Sequence, residues 1–296
     1  MNMFKNYFIA TRPWSFPVST MSILVTAAGL FYMGFDVNWW LAVWATIGIM
    51  IFHAAENVLS DYYDYRKGVD REDTFGSKTL TTQMLTSQQV WRYGWILLSV
   101  AIANGLAMAY VAGWQLLVLG GVGVALAVAY PWLKYHALGD VDITIEYGVL
   151  PCLGTSLFVT GAIQWEALWL MPCFVTITNA VLHANNTRDV LSDKRANIYT
   201  LPILIGKKAS MVLYYIEVLL PSAWIVVCCI IGKLPWYSLL QWVTLTLAIG
   251  NCKQMHRFAN DPQAINNLDE NTAKQQLINC AILVLTSVIA ALIVQL

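Results

Sequence analysis

Two acidic segments of similar sequence interrupt a chain that is otherwise strongly apolar. The first occupies residues 57–70 and the second residues 185–193, and each directly follows a long apolar run. A carboxylate beside hydrocarbon is costly to keep charged, so such residues are functional candidates. Two groups of hard oxygen ligands suggest Mg²⁺ and a phosphorylated substrate. The pattern therefore predicts an enzyme rather than a scaffold.

Within each segment the polar side chains recur at the spacing of a single helical face. They are Asn57, Asp61 and Asp64 in the first segment, and Asn185, Asp189 and Asp193 with the neighbouring Asn186 in the second. Carboxylates packed this closely repel one another unless a cation neutralises them. Mg²⁺ binds carboxylate oxygens while keeping phosphate and water in its shell. We therefore predict that Asp61, Asp64, Asp189 and Asp193 are metal ligands.

Basic side chains surround both segments and could complete a clamp for a diphosphate, with arginine favoured for bidentate contacts. They are Lys67, Arg71, Lys78, Arg188 and Lys194. A second interpretation, the solvated edge of a membrane helix, stays open for Asp70, Glu72, Asp73 and Arg195. The repetition of the pattern argues against that interpretation for the four predicted metal ligands.

The composition is that of an integral membrane protein. Hydrophobic residues make up 58% of the 296 residues and charged residues only 11%, whereas a soluble domain carries about 25% charged residues. The apolar residues fall in runs long enough to cross a bilayer as helices. We predict an all-α polytopic fold of about nine spans in one domain, residues 1–296. The predicted spans are 14–34, 39–59, 92–112, 115–133, 142–162, 166–185, 209–231, 236–252 and 276–295.

The basic residues predict the orientation of the chain. With nine spans, all 17 Lys and Arg residues except Lys233 lie on the side of the N-terminus, and such an excess marks the cytoplasmic side. Each acidic segment closes an even-numbered span, as in a parallel internal repeat. We therefore place the chain in the cell (inner) membrane, with the N-terminus and both acidic segments in the cytoplasm.

Several stretches of the sequence resemble the menaquinone branch of the UbiA superfamily of membrane-embedded aromatic prenyltransferases. They are Ala10–Phe16, Asp61–Asp70, Leu133–Asp140 and Asn185–Asp189, with Asp193 and Thr200-Leu201. The resemblance implies nine helices around a central cavity, capped by cytoplasmic loops that carry the acidic segments. It also implies Mg²⁺-dependent transfer of a polyprenyl group from a polyprenyl diphosphate to 1,4-dihydroxy-2-naphthoate. Carbon dioxide would be lost, and the product would be demethylmenaquinone for menaquinone biosynthesis.

The resemblance further implies roles for individual residues. In the first segment, Asp64 and Asp70 match ligands of Mg²⁺ and diphosphate, and Asp61 matches an acidic position of some members. In the second segment, Asn186, Asp189 and Asp193 match the second metal group. Arg188 matches a phosphate contact, and Lys67 and Lys78 match basic residues that hold the diphosphate. The predicted catalytic residues are therefore Asp64, Asp70, Asp189 and Asp193. Two departures concern the diphosphate contacts. Ser60 stands where the family usually has Asn, with Asn57 about one turn earlier, and residues 197–201 replace the common Gly-Lys-Arg-Thr-Leu.

Aromatic rings could line the reaction site. Tyr130, Tyr135 and Tyr147 are candidates for stabilising an allylic carbocation by cation–π contact, although packing is the more common role of a tyrosine. His53 and His183 each precede a predicted site residue by about one turn. We interpret both histidines as core residues rather than ligands.

Other polar residues could serve the acceptor. Lys134, His136 and Asp140 lie in or beside one loop and could bind its ring or acidic group. Glu146 is an acid within a predicted span, which is costly, and it could be an acceptor-side base or a partner of Lys134. Glu217 raises the same question.

Two alternatives stay open at this stage. The same chemistry could act on another aromatic acceptor, such as 4-hydroxybenzoate, homogentisate or a chlorin. A transporter also combines repeats with intramembrane acids, but the acids here lie at helix ends rather than at the bilayer midplane. The lipid bilayer is a predicted partner, and a nucleic acid is not.

Overall fold

The computed structural model describes residues 3–75 and 77–295. In these ranges the chain is helical, with short loops and one isolated β-bridge between His136 and Tyr199. The helices are α1 Met3–Ala10, α2 Phe16–Tyr32, α3 Trp39–Lys67, α4 Lys78–Thr81, α5 Ser87–Ala112, α6 Trp114–Tyr135, α7 Gly139–Thr144, α8 Leu150–Thr160, α9 Pro172–Arg188, α10 Val190–Arg195, α11 Leu201–Ile230, α12 Leu245–Arg257 and α13 Leu268–Gln295. Shorter 3₁₀ segments are Pro13–Ser15, Trp165–Trp169, Trp236–Thr244 and Pro262–Ile265, and a π-helical turn, Ile145–Val149, joins α7 to α8.

Among the described residues, seven helical stretches are long and apolar enough to cross a bilayer. They are Met3–Tyr32, Trp39–Lys67, Ser87–Ala112, Trp114–Tyr135, Gly139–Thr160, Leu201–Ile230 and Pro262–Val294. They correspond in order to the first, second, third, fourth, fifth, seventh and ninth predicted spans. The prediction of an all-α multi-pass membrane protein is confirmed.

The other two predicted spans, 166–185 and 236–252, form helices that are shorter or more polar. The first corresponds to α9, which has 17 residues and packs against α2, α11 and α13. The second consists of a 3₁₀ segment followed by α12. Because α9 is enclosed by other helices, its polar side chains face protein rather than lipid, and it does not need an apolar surface. The helix α6 is the opposite case, since none of its residues is buried.

The first acidic segment lies at the end of an unusually long helix. α3 has 29 residues, whereas about 20 suffice to cross the hydrocarbon core, so its last two turns extend beyond that core. The Asn38 side chain caps its start by accepting hydrogen bonds from the Trp40 and Leu41 amides. Gly68, with a φ of 79°, ends it in the left-handed region that favours glycine. The Val69 amide then donates to the Asp64 carbonyl at 2.9 Å.

Three loops at this end of the bundle form a cap. They follow α3, α6 and α10, and Tyr199 N donates to Tyr135 O at 3.1 Å. Val69, Ala196 and Ile198 form a small buried apolar cluster against the Tyr135 ring. The cap therefore holds the ends of both acidic segments next to the end of α6.

Candidate active site

A cavity of about 590 Å³ lies beneath the cap, and both acidic segments line it. Most of the predicted site residues line this cavity. They are Asn57, Asp64, Asp70, Lys78, Tyr130, Lys134, Asn186, Arg188, Asp189 and Asp193. The remaining three, Asp61, Lys67 and Asp140, lie outside its lining. The fold thus brings residues that are far apart in the chain around one chamber.

Asp64 is held between two residues of α6. Lys134 Nζ donates to its Oδ2 at 2.8 Å, and Tyr135 Oη donates to its Oδ1 at 2.9 Å. Both oxygens therefore point toward the chamber side of α6, and an ammonium group already occupies the position of a counter-cation. Sequence reasoning predicted Lys134 as a substrate contact, but not this pairing with the first acidic segment.

The site is rich in negative charge. Burial raises the pKa of Asp70 to about 7, and the neighbouring Asp64 and Asp61 carboxylates contribute to the shift. Burial likewise raises the pKa of Asp193 to about 7, with Lys134 opposing the shift and Asp189 and Asp64 adding to it. These carboxyl groups lack enough positive charge to stay fully ionised. A divalent cation would supply it.

Arg188 is held rigidly by the second acidic segment and by α13. Its Nε and Nη2 donate to the two carboxylate oxygens of Asp189 at 3.0 and 3.1 Å. Nη1 donates to Asp269 Oδ2 at 3.0 Å, and Nη2 donates to Asn185 Oδ1 at 2.8 Å. Its guanidinium also lies 5.1 Å from the centre of the Phe75 ring. The planar cation is therefore fixed at the cavity wall before any substrate binds.

The N-terminal segment contributes a residue that the sequence predictions did not select. Arg12 lines the cavity and forms an ion pair with the buried Asp61. Arg12 has a φ of 51°, and a non-glycine residue in that region is often found at functional sites. Asn57 Nδ2 donates to Thr11 O at 3.0 Å and to Ser15 Oγ at 3.1 Å. The only feature of the sequence that pointed to Arg12 as a site residue was its position within Ala10–Phe16.

The two other predicted residues outside the cavity have different environments. Lys67 is exposed and lies 5.9 Å from the centre of the Tyr135 ring. Asp140 lies beside His183 and Glu217. Asp61 itself is tied to Arg12, and its carboxylate also contributes to the raised pKa of Asp70.

A second set of acids lies at the deep end of the cavity. Tyr147 Oη donates to Glu56, whereas the carboxyl oxygens of Glu146 and Asp142 are buried without a hydrogen-bond partner among the described residues. Glu56, Glu146 and Tyr147 line the cavity. Sequence reasoning considered Glu146 but missed Glu56, which directly precedes Asn57 and faces a different side of α3.

An apolar groove adjoins the cavity at Glu146. The groove has a volume of about 430 Å³ and lies between α3, α5, α6 and α8. Its polar lining residues are Asn104, Glu146 and Thr155, and the others are apolar residues and glycines. A charged chamber and an apolar groove that share Glu146 suit a ligand with an anionic head and a hydrocarbon tail.

Comparisons with known proteins agree with this geometry. The family described as the UbiA prenyltransferase family matches residues 22–267. The UbiA prenyltransferase domain-containing protein 1 of Gallus gallus is 31% identical over 287 residues, covering 92% of this chain and 81% of the relative. The protein of the same name from Homo sapiens is 32% identical over 285 residues, with coverages of 92% and 80%.

Solved structures share the fold at lower sequence identity. An apo UbiA homolog from Aeropyrum pernix K1 has a TM-score of 0.67 at 14% identity, covering 100% of this chain and 99% of that one. A UbiA homolog from Archaeoglobus fulgidus, described as bound to GPP and Mg2+, has a TM-score of 0.61 at 15% identity, with coverages of 94% and 99%.

Proposed function

Because this chain belongs to the UbiA prenyltransferase family, we propose that it transfers a polyprenyl group from a polyprenyl diphosphate to 1,4-dihydroxy-2-naphthoate and forms demethylmenaquinol, the hydroquinone form of demethylmenaquinone. The observation that carries the proposal is the single cavity in which both acidic segments meet basic side chains beside an apolar groove. The residues that resemble the menaquinone branch support this acceptor over 4-hydroxybenzoate or homogentisate.

The cavity fits a magnesium diphosphate. Asp64, Asp70, Asp189 and Asp193 offer carboxylate oxygens, the donors that Mg²⁺ prefers, and the raised pKa values of Asp70 and Asp193 indicate missing positive charge. When bound, Mg²⁺ offsets the negative charge that develops on the departing diphosphate. The homolog from Archaeoglobus fulgidus described as bound to GPP and Mg2+ supports the same pairing.

Basic side chains bind the diphosphate from several directions. Arg12, Lys78, Lys134 and Arg188 all line the cavity, and each donates to phosphate oxygens. Arg188 is held in place before binding, so the protein spends little conformational entropy on it. These charges stabilise the leaving group as the allylic carbon–oxygen bond breaks and its electron pair moves to the diphosphate.

The deep end of the cavity receives the acceptor. One of the two acids Glu56 and Glu146 takes the proton of a ring hydroxyl, which raises the electron density of the ring, and returns it to that oxygen once carbon dioxide has left. A ring carbon then forms a bond to the allylic carbon, and the carboxylate on that ring carbon leaves as carbon dioxide. Tyr130 and Tyr147 line this region and help to keep water away from the electron-poor allylic fragment.

A direct assay tests the proposed function. Membranes that contain the protein are supplied with a radiolabelled polyprenyl diphosphate and dihydroxynaphthoate, and we expect a prenylated product that disappears with EDTA. Asp64→Asn combined with Asp189→Asn should abolish turnover, whereas Asp73→Asn, an exposed acid paired with Arg195, should not. Unchanged turnover in the double variant would refute the site.

A separate experiment tests the identity of the acceptor. Several aromatic acceptors are offered together and the products are identified by mass spectrometry. A preference for 4-hydroxybenzoate would refute the proposal that the acceptor is 1,4-dihydroxy-2-naphthoate.

We also propose that the cap faces the cytoplasm, as the distribution of basic residues indicates. A cysteine introduced at exposed Glu72 should react with an impermeant maleimide only from the cytoplasmic side. A cysteine introduced at partly exposed Lys233 should react only from the opposite side. Labelling of both from one side would contradict this orientation.

A further inference from the structure

Three side chains from three different helices meet outside the cavity. They are Asp140 on α7, His183 on α9 and Glu217 on α11. His183 Nδ1 lies 3.9 Å from Asp140 Oδ1 and 3.7 Å from Glu217 Oε2. The side chain of His183 is 0% exposed and that of Glu217 is 9% exposed. This cluster is too buried to be the solvated edge of a helix.

The facing atoms of the cluster lack hydrogen-bond partners. Asp140 Oδ1, His183 Nδ1 and Glu217 Oε2 are each buried without one among the described residues. The distances from His183 Nδ1 are too long for hydrogen bonds to either carboxylate. Leaving such groups unsatisfied costs about 1–3 kcal/mol each, and more when they are charged. A ligand shared by the three atoms would satisfy all of them at once.

The other ring nitrogen of His183, Nε2, has a hydrogen-bond partner, and this contact leaves Nδ1 as the atom that faces the two carboxylates. Its Nε2 lies 2.7 Å from Ser210 Oγ, and the same hydroxyl lies 3.0 Å from Thr187 Oγ1. When Nε2–H donates to Ser210, Nδ1 carries a lone pair. Three lone-pair atoms then point at one another, which is unfavourable without a cation. Metal-binding histidines generally donate their second ring N–H to such a partner, which fixes the ring.

We propose that Asp140, His183 and Glu217 bind a divalent transition-metal ion, with Zn²⁺ as the best match, at a site separate from the magnesium diphosphate. Ligand atoms around a tetrahedral Zn²⁺ lie about 3.3–3.6 Å apart. The two carboxylate oxygens lie 3.7 and 3.9 Å from His183 Nδ1, and all three atoms lie within 4.8 Å of one another, so the side chains need to move only slightly closer to hold the ion. A nitrogen ligand favours Zn²⁺ over Mg²⁺, which takes oxygen ligands. Three protein ligands leave a fourth position for water.

The ion would join α7, α9 and α11 just before the second acidic segment. His183 precedes Asn186 by about one helical turn, so a metal at His183 fixes the end of α9 that carries this segment. Asp140, which the sequence analysis considered as an acceptor contact, becomes a metal ligand in this proposal. The role of the ion is to position the second acidic segment rather than to take part in prenyl transfer.

Metal content tests the proposal without reference to activity. Detergent-purified protein is stripped with a chelator, loaded with Zn²⁺ alone and desalted, and bound metal is measured by mass spectrometry. We expect one tightly held equivalent in the wild type and in the Asp64→Asn/Asp189→Asn variant, because the site is separate from the acidic segments. His183→Gln should lose that equivalent. His53→Gln, which removes a buried histidine bonded to Ser19, should keep it.

The coordination of the ion supplies a test that needs no variant. X-ray absorption of zinc-loaded wild-type protein should show one imidazole nitrogen with oxygen neighbours. Sulfur neighbours would assign the zinc to the free cysteines and overturn the proposal. So would failure of the wild type to retain zinc, or equal retention by wild type and His183→Gln.

Discussion

Arg12 and Asp61 form an ion pair in which the two residues serve different purposes. The Asp61 side chain is 2% exposed, whereas that of Arg12 is 34% exposed and reaches the cavity. Asp61 thus holds Arg12 against α3, and Arg12 faces the cavity. This arrangement explains why an acid that was predicted as a metal ligand does not line the chamber.

Breaking this ion pair should lower stability because Asp61 loses its partner, and it should lower activity because Arg12 is lost from the cavity. Arg12→Met leaves a buried charge on Asp61 and should lower the free energy of unfolding, by less than the roughly 3–5 kcal/mol typical of fully buried pairs because Arg12 is partly exposed. Adding Asp61→Asn should restore most of the stability but not the prenyl-transfer rate. Thermal unfolding in detergent and initial rates distinguish the two effects. Full activity of the double variant would show that Arg12 does not contact the substrate.

The buried carboxyls predict a pH-dependent response to Mg²⁺. The pKa values of Asp70 and Asp193 are raised to about 7, so without metal the folded state holds protons that the unfolded state has released. Their contribution to stability is present below pH 4 and is lost as the pH rises through 7. Because Mg²⁺ binds the ionised carboxylates, its stabilising effect should grow over the same range.

This prediction is checked by melting temperatures with EDTA and with Mg²⁺ at pH 6, 7 and 8. The difference between the two conditions should increase with pH. In an Asp70→Asn/Asp193→Asn variant it should be small at every pH. A difference that shrinks as the pH rises would contradict the assignment of these acids as groups that face the metal.

Most of the site residues predicted from the sequence line the cavity, but the hydrogen bonds and ion pairs that link them were not predicted. The spacing of Asp61 and Asp64 placed both on one helical face, yet only Asp64 lines the cavity, because neighbouring helices decide which part of a face is covered. Glu56 and Arg12 were missed for a related reason. Glu56 lies off the repeated face of α3, and Arg12 reaches the site only because Asn57 fastens the N-terminal segment to α3.

At the scale of the elements, helix length proved predictable where the helix faces lipid. The spans that became α5 and α6 were read from their apolar runs, and α6 has no buried residues. α9 was predicted as a span although it falls below the length and hydropathy typical of one, and its position inside the bundle explains that composition. The end of α3 lies beyond its predicted limit, because polar turns continue a helix once it leaves the hydrocarbon. α11 begins before its predicted limit, and its backbone is kinked at Gly206, which has a φ of 78°.

The end of α3 depends on a single glycine. Gly68 has a φ of 79°, and a side chain in that conformation costs about 1 kcal/mol. Gly68→Ala should therefore lower the melting temperature slightly and raise the KM for the diphosphate, because the turn positions Asp70.

Gly250→Ala is a matched control within α12, where an added methyl group meets nothing within 4 Å. The control should be neutral or mildly stabilising. Identical kinetics in both variants would show that the turn does not position the site.

At the scale of the whole molecule, charge and apolar surface are separated along the path of one substrate. The cap and the ends of α3 and α9 supply charges that suit an anionic head, and α3, α5, α6 and α8 supply an apolar groove beside them. The two compartments share Glu146. A polyprenyl diphosphate is a lipid with such a head, which explains why a membrane fold carries this transferase.

Filling the groove should therefore change which prenyl chains are accepted. Gly120 on α6 lines the groove, and an added Cβ meets nothing within 4 Å. Gly120→Phe should displace part of a long tail, and complete loss of one five-carbon unit's burial would cost roughly 4 kcal/mol at about 0.8 kcal/mol per carbon. We expect a loss of the order of tenfold or more in kcat/KM for long chains and little change for geranyl diphosphate. Gly250→Phe, which lies outside the groove, should slow neither substrate. Equal slowing of short and long chains by Gly120→Phe would show that the tail takes another path.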